Sequence, residues 1–485
     1  MKKLLLAVCL ATVQTALAQT ADTHIGTLIN ESNWFELKRT MEVTPRDSVS
    51  PLLYWMGTAM TAHYFNHPDS ACTAIGTLLN EHQEEIGGQN SVHMAALMAT
   101  NLTRCGRYEE AAALMQNLAQ QLQAQGVDTA TTASILKAAD LYTMYARESP
   151  LCRPLHPAGE YRLPFTFNDD MHQGYKKQGY FLMLDARING TSEPVVFDTG
   201  AGMNIISSRQ AEACGLRQTE ITIDMQGIGR QQGRIALANT LRIGPMAWQN
   251  VPFLIVDTRT GDAEADSVGG MLQPVIGLPI MLSMKEVQFD FEHRELLIPA
   301  TPTPNPLNSS NLLRTDSEGL RVESRDDEGH PMYMHLDTGS YGSDLTARWY
   351  AAHRTQVEAQ GQPDSLRMAG IGGVSRQKTY RIPHLTYRIG RGEATIENVH
   401  VSTGLDLRTG QPVGEMFGVG DIDGIIGLGL LERFRRVGVR RYYLFTDTGC
   451  NVGFYTRRGL THRREEKVEW DDGGSTVFYL EEGMV

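Results

Sequence analysis

From about residue 22 to 147, apolar positions recur three and four apart, the spacing that lines one face of an α-helix. Short polar breaks interrupt the pattern at Asn30-Glu31-Ser32-Asn33, His67-Pro68-Asp69-Ser70 and Cys105-Gly106-Arg107, each closing one helix and opening the next. After Pro154 the texture changes. Short runs rich in β-branched and aromatic residues stand between glycine turns, as in Pro194-Val195-Val196-Phe197, Pro252-Phe253-Leu254-Ile255-Val256 and Val287-Gln288-Phe289-Asp290-Phe291. Thr301-Pro302-Thr303-Pro304-Asn305-Pro306 reads as an extended linker, after which the β-like texture resumes. The pattern therefore predicts a multidomain chain: an all-α helical-repeat domain over 19–150, an all-β lobe over 155–300, a linker at 301–311, a second all-β lobe over 312–458, and a charged, solvated tail at 459–485.

The first residues predict an export signal. Lys2-Lys3 precedes an apolar stretch from Leu4 to Leu10, and Ala16-Leu17-Ala18 offers a small-residue cleavage site, so residues 1–18 read as a signal peptide and the product as periplasmic or secreted. No other stretch is apolar for long enough to predict a membrane span. The helical breaks and the small alanines between them resemble degenerate tetratricopeptide repeats, which would offer a surface to a protein partner or a substrate.

The two β segments repeat one another. Asp198-Thr199-Gly200 recurs as Asp337-Thr338-Gly339, Met225-Gln226-Gly227-Ile228-Gly229 as Met368-Ala369-Gly370-Ile371-Gly372, Arg242-Ile243-Gly244 as Arg388-Ile389-Gly390, and Val275-Ile276-Gly277-Leu278 as Ile425-Ile426-Gly427-Leu428. The order is kept while the offset grows slowly, as small loop insertions in a duplicated fold would make it. A third Asp-Thr-Gly, at Asp447, lies between two β-like runs and lacks the elements that follow the other two, so it reads as a hairpin turn.

Composition narrows the chemistry. The chain has 485 residues and a formal net charge of −12, which gives no basic footprint for nucleic acid. Six scattered cysteines form no disulfide scaffold, although export would permit one or two bridges. His63 and His67 stand four apart on a predicted helix; with no third ligand at a convincing spacing they read as exposed histidines, and no metal site is predicted.

The paired Asp-Thr-Gly motifs, each behind an apolar strand and ahead of a Gly-Ile-Gly hairpin and an apolar-apolar-Gly element, resemble the aspartic proteases: retropepsin-like features inside a pepsin-like chain of two fused lobes. The resemblance covers roughly residues 160 to 456. It implies a peptide-bond hydrolase in which Asp198 and Asp337 share a proton and activate water without metal or organic cofactor, a polypeptide or peptide substrate, and a monomeric protease unit. It also implies that Gly200 and Gly339 permit tight turns, that Thr199 and Thr338 bond across the lobes, and that Gly227, Ile228, Gly229, Gly370, Ile371 and Gly372 form two flap tips over the substrate. Ala201 and Ser340 break the symmetry. A Ser340 hydroxyl bonded to its carboxylate would make Asp337 the base and Asp198 the acid, although the proton belongs to the pair. Arg230 stands where the second hairpin has Gly373, which would favour acidic ligands, and Asp344 stands where the first copy has Ile205. The alternative is a non-catalytic peptide-binding or assembly protein that keeps the lobes for recognition.

Overall fold

The computed structural model describes residues 20–167, 181–226, 230–257, 273–301, 303, 310–370, 373–390, 392–413, 422–440, 451–456, 464–469 and 475–480. Gly227, Ile228, Gly229, Ile371 and Gly372, the third Asp-Thr-Gly and the leader over 1–18 lie outside these residues. The chain divides after Pro150 into a helical unit and a β-rich unit.

In the helical unit, α1 (20–30), α2 (Trp34–Val43), α3 (Pro51–Tyr64), α4 (Pro68–Glu81), α5 (Gln83–Arg104), α6 (Tyr108–Ala124) and α7 (Thr129–Glu148) follow one another through short connections. Local chemistry sets the starts. The Asn33 side chain caps α2 through the Glu36 N–H, the Asp128 side chain caps α7 through the Thr131 N–H, and Pro51 and Pro68 occupy first turns where no N–H is needed. Each helix from α3 onward packs on its sequence neighbour. Ala99, Ala111, Ala119 and Ala139 are almost wholly buried.

Two expectations fail in this unit. His63 ends up fully buried, with Nδ1 2.9 Å from Asn101 Nδ2, because it points into the packed face of α3. His67 lies beyond the end of α3, in the turn leading to α4, so the two rings do not share one helix. Burial and the nearby Lys38 push the His67 imidazole down to about 4. Cys72 and Cys105 are free thiols, with Cys105 Sγ donating to Asp69 Oδ1 at 3.2 Å, and Cys152 and Cys214 are free as well.

The β unit holds the alternation read from the sequence. In its first half, strands Leu182–Ile188, Thr191–Phe197, Arg217–Gln226, Arg230–Ile243 and Met246–Ile255 belong to one sheet, with the short strands Asn204–Ile206 and Val275–Ile276 inserted near its centre. In the second half, Leu320–Arg325, Pro331–Leu336, Gln362–Gly370, Gly373–Ile389, Gly392–Asp406 and Gly424–Ile426 form another. A third sheet joins the halves, pairing Glu286–Asp290 with Phe434–Arg440. One continuous apolar core runs through both halves from Cys152 to Phe434. The segment expected to be a solvated tail contains a two-stranded antiparallel pair, Arg464–Glu469 with Ser475–Leu480.

The arms of both predicted flap hairpins are present. Arg217–Gln226 and Arg230–Ile243 pair up to Gln226 opposite Arg230, and Gln362–Gly370 and Gly373–Ile389 pair up to Gly370 opposite Gly373.

Candidate active site

The Asp-Thr-Gly turns at Asp198 and Asp337 each begin where a buried strand ends. Thr191–Phe197 pairs in parallel with Val275–Ile276, setting Ile276 beside Phe197; Pro331–Leu336 pairs in parallel with Gly424–Ile426, setting Ile426 beside Leu336. The ladder continues one step past the strands, since the Asp198 N–H donates to Ile276 O and the Asp337 N–H to Ile426 O, each at 3.0 Å. These bonds aim the two aspartates in the same manner.

The chain behind each turn is fixed by a second matched set. Leu278 N–H donates to Ala201 O and Leu428 N–H to Ser340 O, both at 2.9 Å. Gly277 N–H donates to Asn204 Oδ1, and Gly427 N–H to Ser343 Oγ, both at 3.0 Å. Asn204 and Ser343 occupy matching positions and do the same work with different side chains. Glycine is required at 427 because a Cβ there would lie 2.8 Å from the carbonyl oxygens of both Ser340 and Tyr341 and closer still to that of Gly342.

Reciprocal threonine bonds lock the turns together. Thr199 N–H donates to Thr338 Oγ1 and Thr338 N–H to Thr199 Oγ1, each at 3.0 Å. The Thr199 hydroxyl donates to Leu336 O at 3.1 Å and the Thr338 hydroxyl to Phe197 O at 2.8 Å. Both side chains are essentially inaccessible, so every one of these groups would otherwise be an unpaired polar atom.

The lock places the Asp198 and Asp337 carboxyls side by side, both half-buried. Asp198 Oδ1 accepts from Gly200 N–H at 2.7 Å and, from the opposite turn, Gly339 N–H at 3.1 Å; Asp337 Oδ1 accepts from Gly339 N–H at 2.9 Å. Gly339 thus bridges the two carboxyls with one amide. A Cβ on Gly200 would meet Asp337 Oδ1 at 2.5 Å, and one on Gly339 would meet Asp198 Oδ1 at 2.7 Å, so any side chain here would push the carboxyls apart. Burial first, and then the negative charge of Asp337, pushes Asp198 up to about 8; burial also raises Asp337. Two carboxyls this close retain a shared proton well above the usual carboxylate range.

The asymmetry has a different source from the one expected. The Ser340 hydroxyl donates to Gly342 O at 3.2 Å instead of to a carboxylate. The Asp198 carboxyl, and after it the backbone amides of Gly339 and Ser340, favour the ionised form of Asp337, whereas the charge of Asp337 opposes ionisation of Asp198 against the pull of the Gly200 amide.

Sequence reasoning passed over one neighbour. His335, within the strand Pro331–Leu336, is half-buried on the same strand side as Asp337 and interacts electrostatically with Asp198. The available signal was a polar residue where the first copy has Val196. Asp344 was noticed only as a departure; burial alone pushes its carboxyl up to about 6.

Comparisons with known proteins agree with this geometry over part of its extent. Residues 184–280, which carry Asp198 and its supporting strands, match the family model for aspartyl proteases. No curated protein matches the chain. Among solved structures, basic 7S globulin from soybean aligns at 14% identity and a TM-score of 0.35, over 61% of this chain and 95% of its own. Conglutin gamma, a basic 7S globulin from lupine seeds, aligns at 12% identity and 0.35 over the same shares. A retropepsin-like aspartic protease from Rickettsia conorii aligns at 16% identity and 0.20, over 30% of this chain and 94% of its own. At such TM-scores the likenesses are remote; the functional reading rests on the site and the family match.

Proposed function

We propose that the chain is an exported aspartic endopeptidase whose Asp198 and Asp337, one from each of two duplicated lobes, hydrolyse peptide bonds by activating water. The observation that carries this reading is the shared Gly339 amide between two half-buried carboxyls whose turns are locked by Thr199 and Thr338. An unactivated amide needs a base for the attacking water and an acid for the carbonyl oxygen, and two carboxyls holding one proton supply both. Asp198, with the greater hold on the proton, protonates the carbonyl oxygen, while Asp337 takes the proton from water. The paired strands Arg217–Gln226 with Arg230–Ile243, and Gln362–Gly370 with Gly373–Ile389, would cover an extended substrate and pin it by main-chain hydrogen bonds. The helical unit presents a surface for substrate or a partner protein.

Incubating the full chain with mixed peptides across an acidic-to-neutral pH series tests the proposal. Asp198→Asn and Asp337→Asn should each abolish cleavage while leaving the circular dichroism spectrum unchanged. Turnover by either variant at the wild-type rate would overturn the Asp198–Asp337 dyad, and an inert wild type that nevertheless binds the peptides would favour a recognition protein.

A further inference from the structure

Along the strand Pro331–Leu336, Met332, Met334 and Leu336 face the core with at most 2% exposure. Period-two alternation puts Tyr333 and His335 on the opposite side, in line with Asp337. The His335 ring is held by one bond: Nδ1 lies 3.2 Å from Leu320 O. A carbonyl can only accept, so Nδ1 carries a hydrogen and the neutral ring keeps an acceptor lone pair on Nε2. Among the described residues, Nε2 has no partner. The adjoining turn packs on the ring at Gly319, where a Cβ would stand 3.4 Å from His335 Cε1, in ordinary van der Waals contact.

The charged surroundings are defined. Asp198 approaches from the facing turn, Arg321 is the direct cross-strand partner, Asp337 follows two residues on, and Glu318 precedes Gly319 in the adjoining turn. Asp198 favours the imidazolium, while Arg321 and burial oppose it.

We propose that His335 is a specificity-determining residue of the Asp198–Asp337 site, whose Nε2 meets the substrate side chain flanking the scissile bond, accepting from a hydrogen-bond donor when neutral and pairing with an anionic side chain when protonated. The proposal rests on the protease reading and names its substrate class: peptides with an amide or hydroxyl side chain beside the cleaved bond at neutral pH, and with an acidic one under mildly acidic conditions. Burial holds the imidazole below its ordinary value of 6.5, so the change of preference falls on the acidic side of neutrality. Val196, at the matching place in the first copy, cannot make either interaction.

The test compares the full chain with its His335→Gln variant on peptides bearing glutamine, leucine or cysteic acid on either side of the cleaved bond. Cysteic acid stays ionised throughout the range, so any change with pH belongs to the protein. In wild type, the preference in kcat/KM for cysteic acid over leucine should rise about tenfold as the pH is lowered stepwise from neutrality through and below the ordinary imidazole value of 6.5, as expected for a hydrogen bond to a charged group. Glutamine at 335 retains hydrogen bonding but carries no charge, so the glutamine preference should persist while the rise disappears. An equal rise in His335→Gln overturns the assignment while leaving the protease reading intact. If wild type cleaves none of the peptides, the protease reading falls. Calorimetric binding of a reduced-amide peptide bearing cysteic acid then decides the role of His335: a pH-dependent gain confined to wild type supports it, and the same gain in both proteins refutes it.

Discussion

Replacing Thr338 by valine asks whether the threonine lock holds the two aspartate turns together. Valine has nearly the same shape, so packing is largely conserved and the change is in hydrogen bonding. The substitution removes the acceptor for Thr199 N–H and the donor to Phe197 O, both at a fully buried site. Each orphaned group costs about 1–3 kcal/mol, so the β unit should lose about 2–6 kcal/mol. Thr338→Ser keeps the hydroxyl and loses one methyl, so its loss should be clearly smaller. Because the chain divides into two units, a single unfolding midpoint would mix them. Hydrogen exchange in increasing urea, followed by mass spectrometry, separates them: peptides containing Asp198 and Asp337 should both lose protection in Thr338→Val, and those from α3 to α6 should not. A loss below about 1 kcal/mol, or one confined to the Asp337 turn, would show that the reciprocal bonds do not couple the turns.

Two further outcomes follow from the same structure. Asp344 keeps its proton to about 6 when folded, against 3.8 as the ordinary value, so its ionisation costs stability as pH rises through that interval and costs nothing below it. Asp344→Asn should therefore stabilise the β unit by about 3 kcal/mol at pH 8, with no difference near pH 3, as measured by urea denaturation at the two pH values. Gly427→Ala forces a methyl group among three backbone carbonyls and should destabilise by at least about 2–3 kcal/mol, whereas Gly76→Ala, on α4 with open space around it, should gain about 0.5–1 kcal/mol. Thermal melts of the two alanine variants check both signs.

Much of the candidate site was legible because the repeat is written in backbone-demanding residues. Glycines 200, 339 and 427 stand where no Cβ fits, and such positions leave the same letters in both copies. Side-chain roles that different residues can fill were not legible. Asn204 and Ser343 both hold a glycine amide, yet nothing in their spelling links them. Ser340 suggested a carboxylate bond from its composition, but its hydroxyl found a nearer carbonyl at Gly342. His63 looked exposed because a histidine four residues from another suggests a surface pair; the turn after Tyr64 and the packing of α3 buried it.

The sequence by itself determined the order of elements, the change from helical to β texture near residue 150, and the duplication of an Asp-Thr-Gly turn with its supporting strands. Periodicity and backbone demand are local properties, and a local property can be read along a chain. Only the tertiary structure decided that turns 139 residues apart share an amide hydrogen, that burial drives the protons of Asp198 and Asp337 upward together, and that His335 stands beside them. Those are consequences of distance and dielectric between segments remote in sequence, which no local pattern encodes.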